Sequence, residues 1–384
     1  MTATPLDRAA FPVTDRWAYL NHAGITALPA PAVDAMHACA TEVATDGGLA
    51  YPAHAERVEE VRAAAARLMG VPVGDVAFVK NTTEGLGFVA NGLAWEEGDR
   101  VVVPGQEFPS TVYPWLALAD RGVVVDFVEP VGPGRCLPPE SFADVVARGP
   151  APKVVALSWV QFGRGWRTDL AALASICHDS GSLLCADVIQ GLGVIPAELE
   201  AWGVDFAMAD GHKWLLGPLG IGVLYVRRSC LDQLRPLEPG WASVAHREQW
   251  DNLELTFDDS ARRLEGGTPN VVGTYGLGAS LDLLLDAGLG AVWDHVSALT
   301  DSACEGLAHA GAKVMSDRSP EGRSGVVTFA LDGHAAAAVV GALQARGVAC
   351  SPRAGGVRLS PHGYNTADEV DRLVAAVAEL VSGA

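Results

Sequence analysis

Between residues 76 and 226 the chain repeats one pattern: a short, nearly continuous apolar run, a turn, then often a helical stretch. The runs occupy 76–79, 100–104, 123–128, 154–158, 183–187, 204–209 and 220–226. They do not alternate apolar with polar, so they predict strands buried on both faces rather than half-solvated ones. Helical periodicity fills 58–69, where Val58, Val61, Ala65 and Leu68 share a face and Gly70 marks the stop. It returns at 81–92, with Asn81 as N-cap and Glu84 three residues on, and again at 110–119 and 169–178. Continuous strands alternating with helices predict an α/β fold: a large, mostly parallel sheet covered by helices on both faces. The texture changes after about residue 270. A Leu/Ala-rich helical stretch, 276–311, precedes short strands at 326–331, 348–350 and 357–359, with helices at 335–346 and 366–381. This predicts a smaller α+β domain.

Charge narrows the function classes. Asp plus Glu total 46 against 27 Lys plus Arg, a formal net charge of -19. Such a surface repels phosphate backbones and anionic lipid, so neither nucleic acid nor membrane is an expected partner. No uncharged apolar run is long enough for a membrane-spanning helix. The N-terminal stretch carries Asp7 and Arg8 where a secretory signal needs an apolar segment. The seven cysteines are dispersed without a C-x-x-C pair, and the ten histidines include no H-E-x-x-H. That fits reduced cytoplasmic thiols and no metal site.

Three segments carry candidate chemistry. Lys213 lies in Ala209-Asp210-Gly211-His212-Lys213-Trp214, amid apolar neighbours. A buried lysine must lose its charge, meet an anion or form a covalent bond, and a Schiff base with a carbonyl cofactor would explain it. Most lysines are instead solvated surface cations. Asp187 ends the apolar run Leu183-Leu184-Cys185-Ala186-Asp187, and ligands of open α/β sheets bind at carboxyl strand ends. A carboxylate there could keep a pyridine nitrogen protonated, and Gln190 could bond a ring hydroxyl. Capping of the next turn is the commoner use of such an Asp. Thr82 and Thr83, in Lys80-Asn81-Thr82-Thr83-Glu84-Gly85, place two hydroxyls at a helix start, an anion cup for a phosphate. Ordinary capping explains them equally well.

In this order the segments resemble the fold type I pyridoxal-phosphate enzymes, and more closely the class V aminotransferase family of cysteine desulfurases, C–S lyases and isopenicillin N epimerases. The resemblance runs from Tyr19-Leu20-Asn21-His22-Ala23-Gly24 to Tyr364-Asn365-Thr366. It implies pyridoxal 5'-phosphate as cofactor and an amino acid as substrate, reacting through an external aldimine. It implies an N-terminal segment, 1–20, on the small domain, a large cofactor domain at 21–265, and the small domain at 270–384. Lys213 is then the Schiff-base lysine and proton shuttle. Asp187 pairs with the ring nitrogen and Gln190 faces the ring oxygen. Thr82 and Thr83 hold the phosphate, with Asp210 and His212 nearby. Thr268, in Gly266-Gly267-Thr268-Pro269-Asn270, reaches the partner subunit's phosphate in a homodimer. Arg358 takes the substrate carboxylate, Arg353 is a second candidate, and Asn21 and His22 lie over the same group.

The departures from the desulfurases are informative. Phe108 stands where they place a stacking His; it can stack but cannot shuttle protons. Asp210 stands where they usually have Ser, and Phe162 where they usually have Asn. Ala354-Gly355-Gly356 occupies the loop on which they carry a sulfur-accepting Cys, and Cys350 falls in a predicted strand. A persulfide route is therefore disfavoured, which points to a C–S lyase acting by β-elimination. An aminotransferase or epimerase is the alternative. Arg164, Trp166 and Arg167 either shape a pocket for a larger or acidic substrate or lie on the surface.

Overall fold

The computed structural model describes residues 4–383; positions 1–3 of the predicted N-terminal segment and the last residue of the predicted small domain lie outside them. A two-residue strand β1 (Ala18–Tyr19) precedes two long helices, α1 (Ala30–Asp46) and α2 (Tyr51–Met69). The sheet region follows as β2 (Val76–Val79), α3 (Thr82–Gly92), β3 (Arg100–Pro104), α4 (Pro109–Leu116), β4 (Val124–Val128) and α5 (Pro139–Val146). It continues through β5 (Val154–Ser158), α6 (Leu170–Asp179), β6 (Leu183–Asp187), β7 (Phe206–Asp210) and β8 (Gly222–Val226). These strands form one seven-stranded sheet, in the order β2-β8-β7-β6-β5-β3-β4. Only β8 runs against its neighbours.

The continuous apolar runs have a direct explanation. Successive side chains of a strand point to opposite faces, and both faces here carry a core. Val102, Val155, Leu157, Leu184 and Ala186 pack on one side; Val101, Val103, Val154, Ala156, Cys185 and Met208 pack on the other. Each buried Val or Leu contributes about 1.5–3 kcal/mol through removal of apolar surface from water. Of the two edge strands, β2 is buried throughout, whereas β4 leaves Val124 and Phe127 exposed. Gly85 lets α3 sit close on β7, since a Cβ there would come within 2.9 Å of Met208 Cβ.

The predicted helical stretch 276–311 is two helices, α7 (Val271–Ala287) and α8 (Leu289–His309), bent by 82° at Gly288 with φ +76. The left-handed turn suits glycine and ends α7. α7 packs on α1 and α2, and its Leu277, Leu281 and Leu284 join the core of the large sheet. No single helix among the described residues is long and apolar enough to cross a membrane.

The C-terminal unit holds β9 (Lys313–Val314), β10 (Val327–Ala330), α9 (Ala336–Gln344), β11 (Val348–Ala349), β12 (Ser351–Arg353), β13 (Gly356–Leu359) and α10 (Ala367–Ser382). Four of its strands make an antiparallel sheet, β12-β13-β10-β9. The N-terminal segment joins this unit: β1 pairs in parallel with β11, Leu6 N donates to Gly363 O at 3.2 Å, and Phe11 stacks on Tyr364 at 3.8 Å.

Candidate active site

The carboxyl ends of β5, β6 and β7 open into a cavity of about 600 Å³, closed on the far side by β1, β12 and β13 residues. Parallel strands leave their C-terminal ends free to present ligands, as open α/β sheets generally do. Ser158 and Asp187 are register partners at the ends of β5 and β6, and Asp210 ends β7. Asp187 is buried and held on both oxygens. Its Oδ1 accepts from Ile189 N at 3.0 Å and its Oδ2 from Thr111 Oγ1 at 3.3 Å. Burial pushes its carboxyl up to about 6, against the opposing pull of those donors and of Lys213.

Lys213 follows β7 and points into the same cavity. Burial pulls its ammonium below the ordinary lysine range, with Asp187 opposing and Arg358 adding to the depression. Its Nζ stands 5.6 Å from the centre of the Phe108 ring. Phe108 is 41% exposed and lines the cavity beside Lys213. Gln190 is locked at both ends of its amide: Nε2 donates to Ala23 O at 3.1 Å, and Oε1 accepts from Trp214 Nε1 at 3.0 Å. One Nε2 proton is left over.

At the start of α3, Asn81 Oδ1 accepts from Glu84 N at 2.9 Å, so the expected cap is present. Thr82 and Thr83 also line the cavity. Thr82 Oγ1 accepts from Asp210 N at 3.1 Å, and Thr83 Oγ1 donates to Ser110 Oγ at 2.8 Å. The cap and two hydroxyls that line the cavity therefore share one turn. Asp210 Oδ1 is buried without a hydrogen bond, 3.6 Å from His212 Nδ1.

Arg358 enters from β13 and is 1% exposed. Its Nη1 donates to Phe162 O at 2.8 Å, while Nε and Nη2 are buried with no partner. Burial and the neighbouring Arg353 pull the guanidinium down to about 9. Arg353 lines the same cavity from β12 and is exposed. Asn21 is bridged to Ser360, and its Oδ1 is also buried and unpartnered, as is Ser351 Oγ. Unpaired buried polar groups cost free energy, and here several converge on one cavity.

Three expected residues lie elsewhere. His22 does not reach the cavity: it is fully buried, with Nδ1 against Ser360 O at 2.9 Å and Nε2 against Tyr364 Oη at 2.8 Å. Burial and His362 hold it well below the usual histidine range, so it is a neutral packing group. Arg164 turns away from the cavity and donates through Nη1 to Pro133 O at 2.6 Å. Thr268 is exposed in a separate recess with Lys80, Glu84 and Gly220. Of the two neighbours of Arg164, Trp166 packs against Gly322, and Arg167 bonds Pro320 O and Glu321 O. Sequence reading missed Tyr19, Ser110, Ser158 and Ser351 among the lining residues. The strand-end rule that found Asp187 would also have found Ser158.

The model of the aminotransferase class-V family matches residues 18–373. A probable cysteine desulfurase of Methanothermobacter thermautotrophicus is 30% identical over 97% of both chains. The apo cysteine desulfurase of Thermococcus onnurineus superposes with a TM-score of 0.89 at 25% identity over all of both chains. The protein C-DES, described as a cystine C–S lyase, shares the fold at 23% identity. One of its structures, a mutant with glycine covalently linked to the pyridoxal-phosphate cofactor, has a TM-score of 0.89 over 97% of this chain and 99% of that one.

The residues present fit pyridoxal phosphate. Asp187 is positioned to face a pyridinium, whose charge would offset the cost of burying the carboxylate. The spare Gln190 proton suits a ring oxygen, the open Phe108 face suits a ring, and Thr82, Thr83 and Ser110 suit a phosphate at a helix start. Asp210 is the one discordant group; its unpartnered Oδ1 lies 3.6 Å from His212 Nδ1. The chain belongs to the class V aminotransferase family of pyridoxal-phosphate-dependent enzymes.

Proposed function

We propose that the protein is a C–S lyase that removes the β-sulfur substituent of cysteine or a cysteine conjugate without a persulfide cysteine. The overall reaction is RS–CH2–CH(NH3+)–COO− plus water to RSH, pyruvate and ammonium. The cofactor, when bound, supplies the sink for the electron pair left at Cα. Asp187 would hold the charged ring end of that group. Arg358 binds the substrate carboxylate through Nε and Nη2, a fork suited to two parallel bonds. Lys213 takes the Cα proton; burial disfavours its charged form and so favours the neutral amine that can accept one. The sulfur then leaves with the electrons of its bond to Cβ.

The observation that carries the reading is the pair of unpartnered Arg358 donors in the cavity that also holds Lys213 and Asp187. The choice of elimination over sulfur transfer is supported by the loop Ala354-Gly355-Gly356 and by Cys350. That thiol is buried and pushed up to about 12, where it is a poor nucleophile. We also infer a homodimer in which Thr268 serves the partner's phosphate, and a reducing cytoplasmic setting for seven free cysteines.

Proton NMR in heavy water tests the reaction. The holoenzyme is incubated with L-cysteine, an S-substituted L-cysteine and L-alanine. Pyruvate from the S-substituted cysteine is the expected product. Alanine from cysteine would overturn the reading in favour of desulfuration. Deuterium at Cα with no new product would favour the aminotransferase or epimerase alternative.

A further inference from the structure

A second cavity of about 440 Å³ adjoins the first, lined by Arg135, Arg164, Gln106, Gln161 and Phe162 among others. Phe162 lines both cavities. Its ring meets that of Phe108 edge to face, with centroids 5.5 Å apart, and Phe108 lies beside Lys213. The backbone of Phe162 is in turn fixed by Arg358 Nη1. The path from the reacting lysine to the second cavity therefore runs past two aromatic rings and the carboxylate-binding arginine.

The second cavity is cationic in an acidic protein. Neither Arg135 nor Arg164 forms a salt bridge among the described residues, although the chain carries 46 acidic side chains. Each is aimed by neutral groups only. Arg135 Nε donates to Gln106 Oε1 at 2.9 Å, and Arg164 Nη1 to Pro133 O at 2.6 Å. Gln161 braces the same loop: its Oε1 accepts from Arg164 N at 2.7 Å, and its Nε2 donates to Gln106 O at 3.2 Å. The one carboxylate in the lining, Glu107, is committed to Ser158 N at 2.8 Å and Ser158 Oγ at 2.6 Å. Arg135 holds φ +56, a left-handed conformation that costs free energy outside glycine. Burial and the adjacent Arg135 together depress the Arg164 guanidinium, so the two cations sit within each other's field.

We propose that Arg135 and Arg164 form a subsite for a carboxylate at the far end of the sulfur substituent, so that the preferred substrates are S-(carboxyalkyl)-L-cysteines. The inference rests on the lyase reading for the identity of the substituent. Arg358 takes the α-carboxylate, the thioether passes Phe108 and Phe162, and the second carboxylate meets the two guanidiniums. A neutral or cationic end group leaves both arginines unpaired and is discriminated against.

Calorimetric titration of the holoenzyme separates the two claims. The probe is L-2-aminoheptanedioate, the carbon isostere of S-(2-carboxyethyl)-L-cysteine with no leaving group, compared with its ω-amide. The diacid is expected to bind about tenfold or more tightly than the amide, as charge-assisted pairing requires. The double substitution Arg135→Gln, Arg164→Gln should bring the two ligands to within about twofold. Each single substitution should lower the ratio at least about threefold, which carries the test if the double variant does not fold. Equal wild-type affinity for diacid and amide overturns the subsite. A diacid preference without pyruvate from S-(2-carboxyethyl)-L-cysteine leaves the subsite standing and removes the lyase reading. Pyruvate without a diacid preference does the reverse.

Discussion

The two walls of the active-site cavity differ in how far their polar groups are satisfied. On the wall built from the large sheet, Asp187 has both oxygens bonded and Gln190 has both ends of its amide bonded. On the opposite wall, Arg358, Asn21 and Ser351 present buried atoms with no partner. The first wall is organised by its own protein contacts, which suits a group that stays. The second is left incomplete by the fold, which suits a ligand that comes and goes. Asp210 is the exception on the first wall, with a free Oδ1 close to His212.

The sharpest way to break this contrast is to remove the Lys213 amine, to which the proposed function gives the proton transfer. Lys213→Ala should lower kcat by about 10²–10⁴-fold, the range for loss of a positioned proton-transfer group. Pyruvate release measures it, and retained turnover would take Lys213 out of the mechanism. Asp187→Asn keeps the shape of the first wall but removes its charge. A loss of about 10²–10³-fold in kcat is expected, the scale of one preorganised electrostatic contact.

Arg358→Leu probes the second wall and should split activity from stability. kcat/KM should fall about 10²-fold, because a charge-assisted carboxylate pair is lost. The ligand-free protein should instead become more stable by about 1–4 kcal/mol, since an unpaired buried cation is replaced by an apolar group. A lowered Tm for Arg358→Leu would mean that the second wall is also satisfied by the fold.

The smallest expected effect is on pH dependence. Asp187 binds its proton more tightly in the folded cofactor-free chain, with its carboxyl at about 6, than in the unfolded one. The folded state then holds more protons between about pH 4 and 6, so this residue's contribution to stability falls as pH rises through that window. Asp187→Asn removes the effect, and urea unfolding at pH 4.5 and 7.5 should show the variant gaining on the parent at the higher pH. A gap independent of pH would place the Asp187 carboxyl in a more polar setting than its burial indicates.

Legibility in the sequence followed burial. β3, β5 and β6 fall on the predicted residues because interior parallel strands must be apolar on both faces. α1 left little trace, since it buries only Ala32 and Cys39 and so has no apolar stripe to read. α5 was missed behind its Pro138-Pro139 start, where no side chain caps the helix. Asp187 and Lys213 were legible because they end or follow strands at the open edge of the sheet. His22 was not, because what removes it from the cavity is Tyr364, 342 residues away in the chain. Arg164 shows the same limit: its side chain is turned aside by the Pro133 carbonyl, which no local pattern announces.

The joining of β1 to β11, and of Asn21 to Ser360, gives the site a schedule. Residues 76–226 can pair with one another as soon as they leave the ribosome, and domains generally fold in that order. The wall that holds Arg358 cannot close on Asn21 until nearly the whole chain has been made. The strand ends that carry Ser158, Asp187 and Asp210 all lie within the earlier segment, so the two walls of the cavity are completed at different points in synthesis.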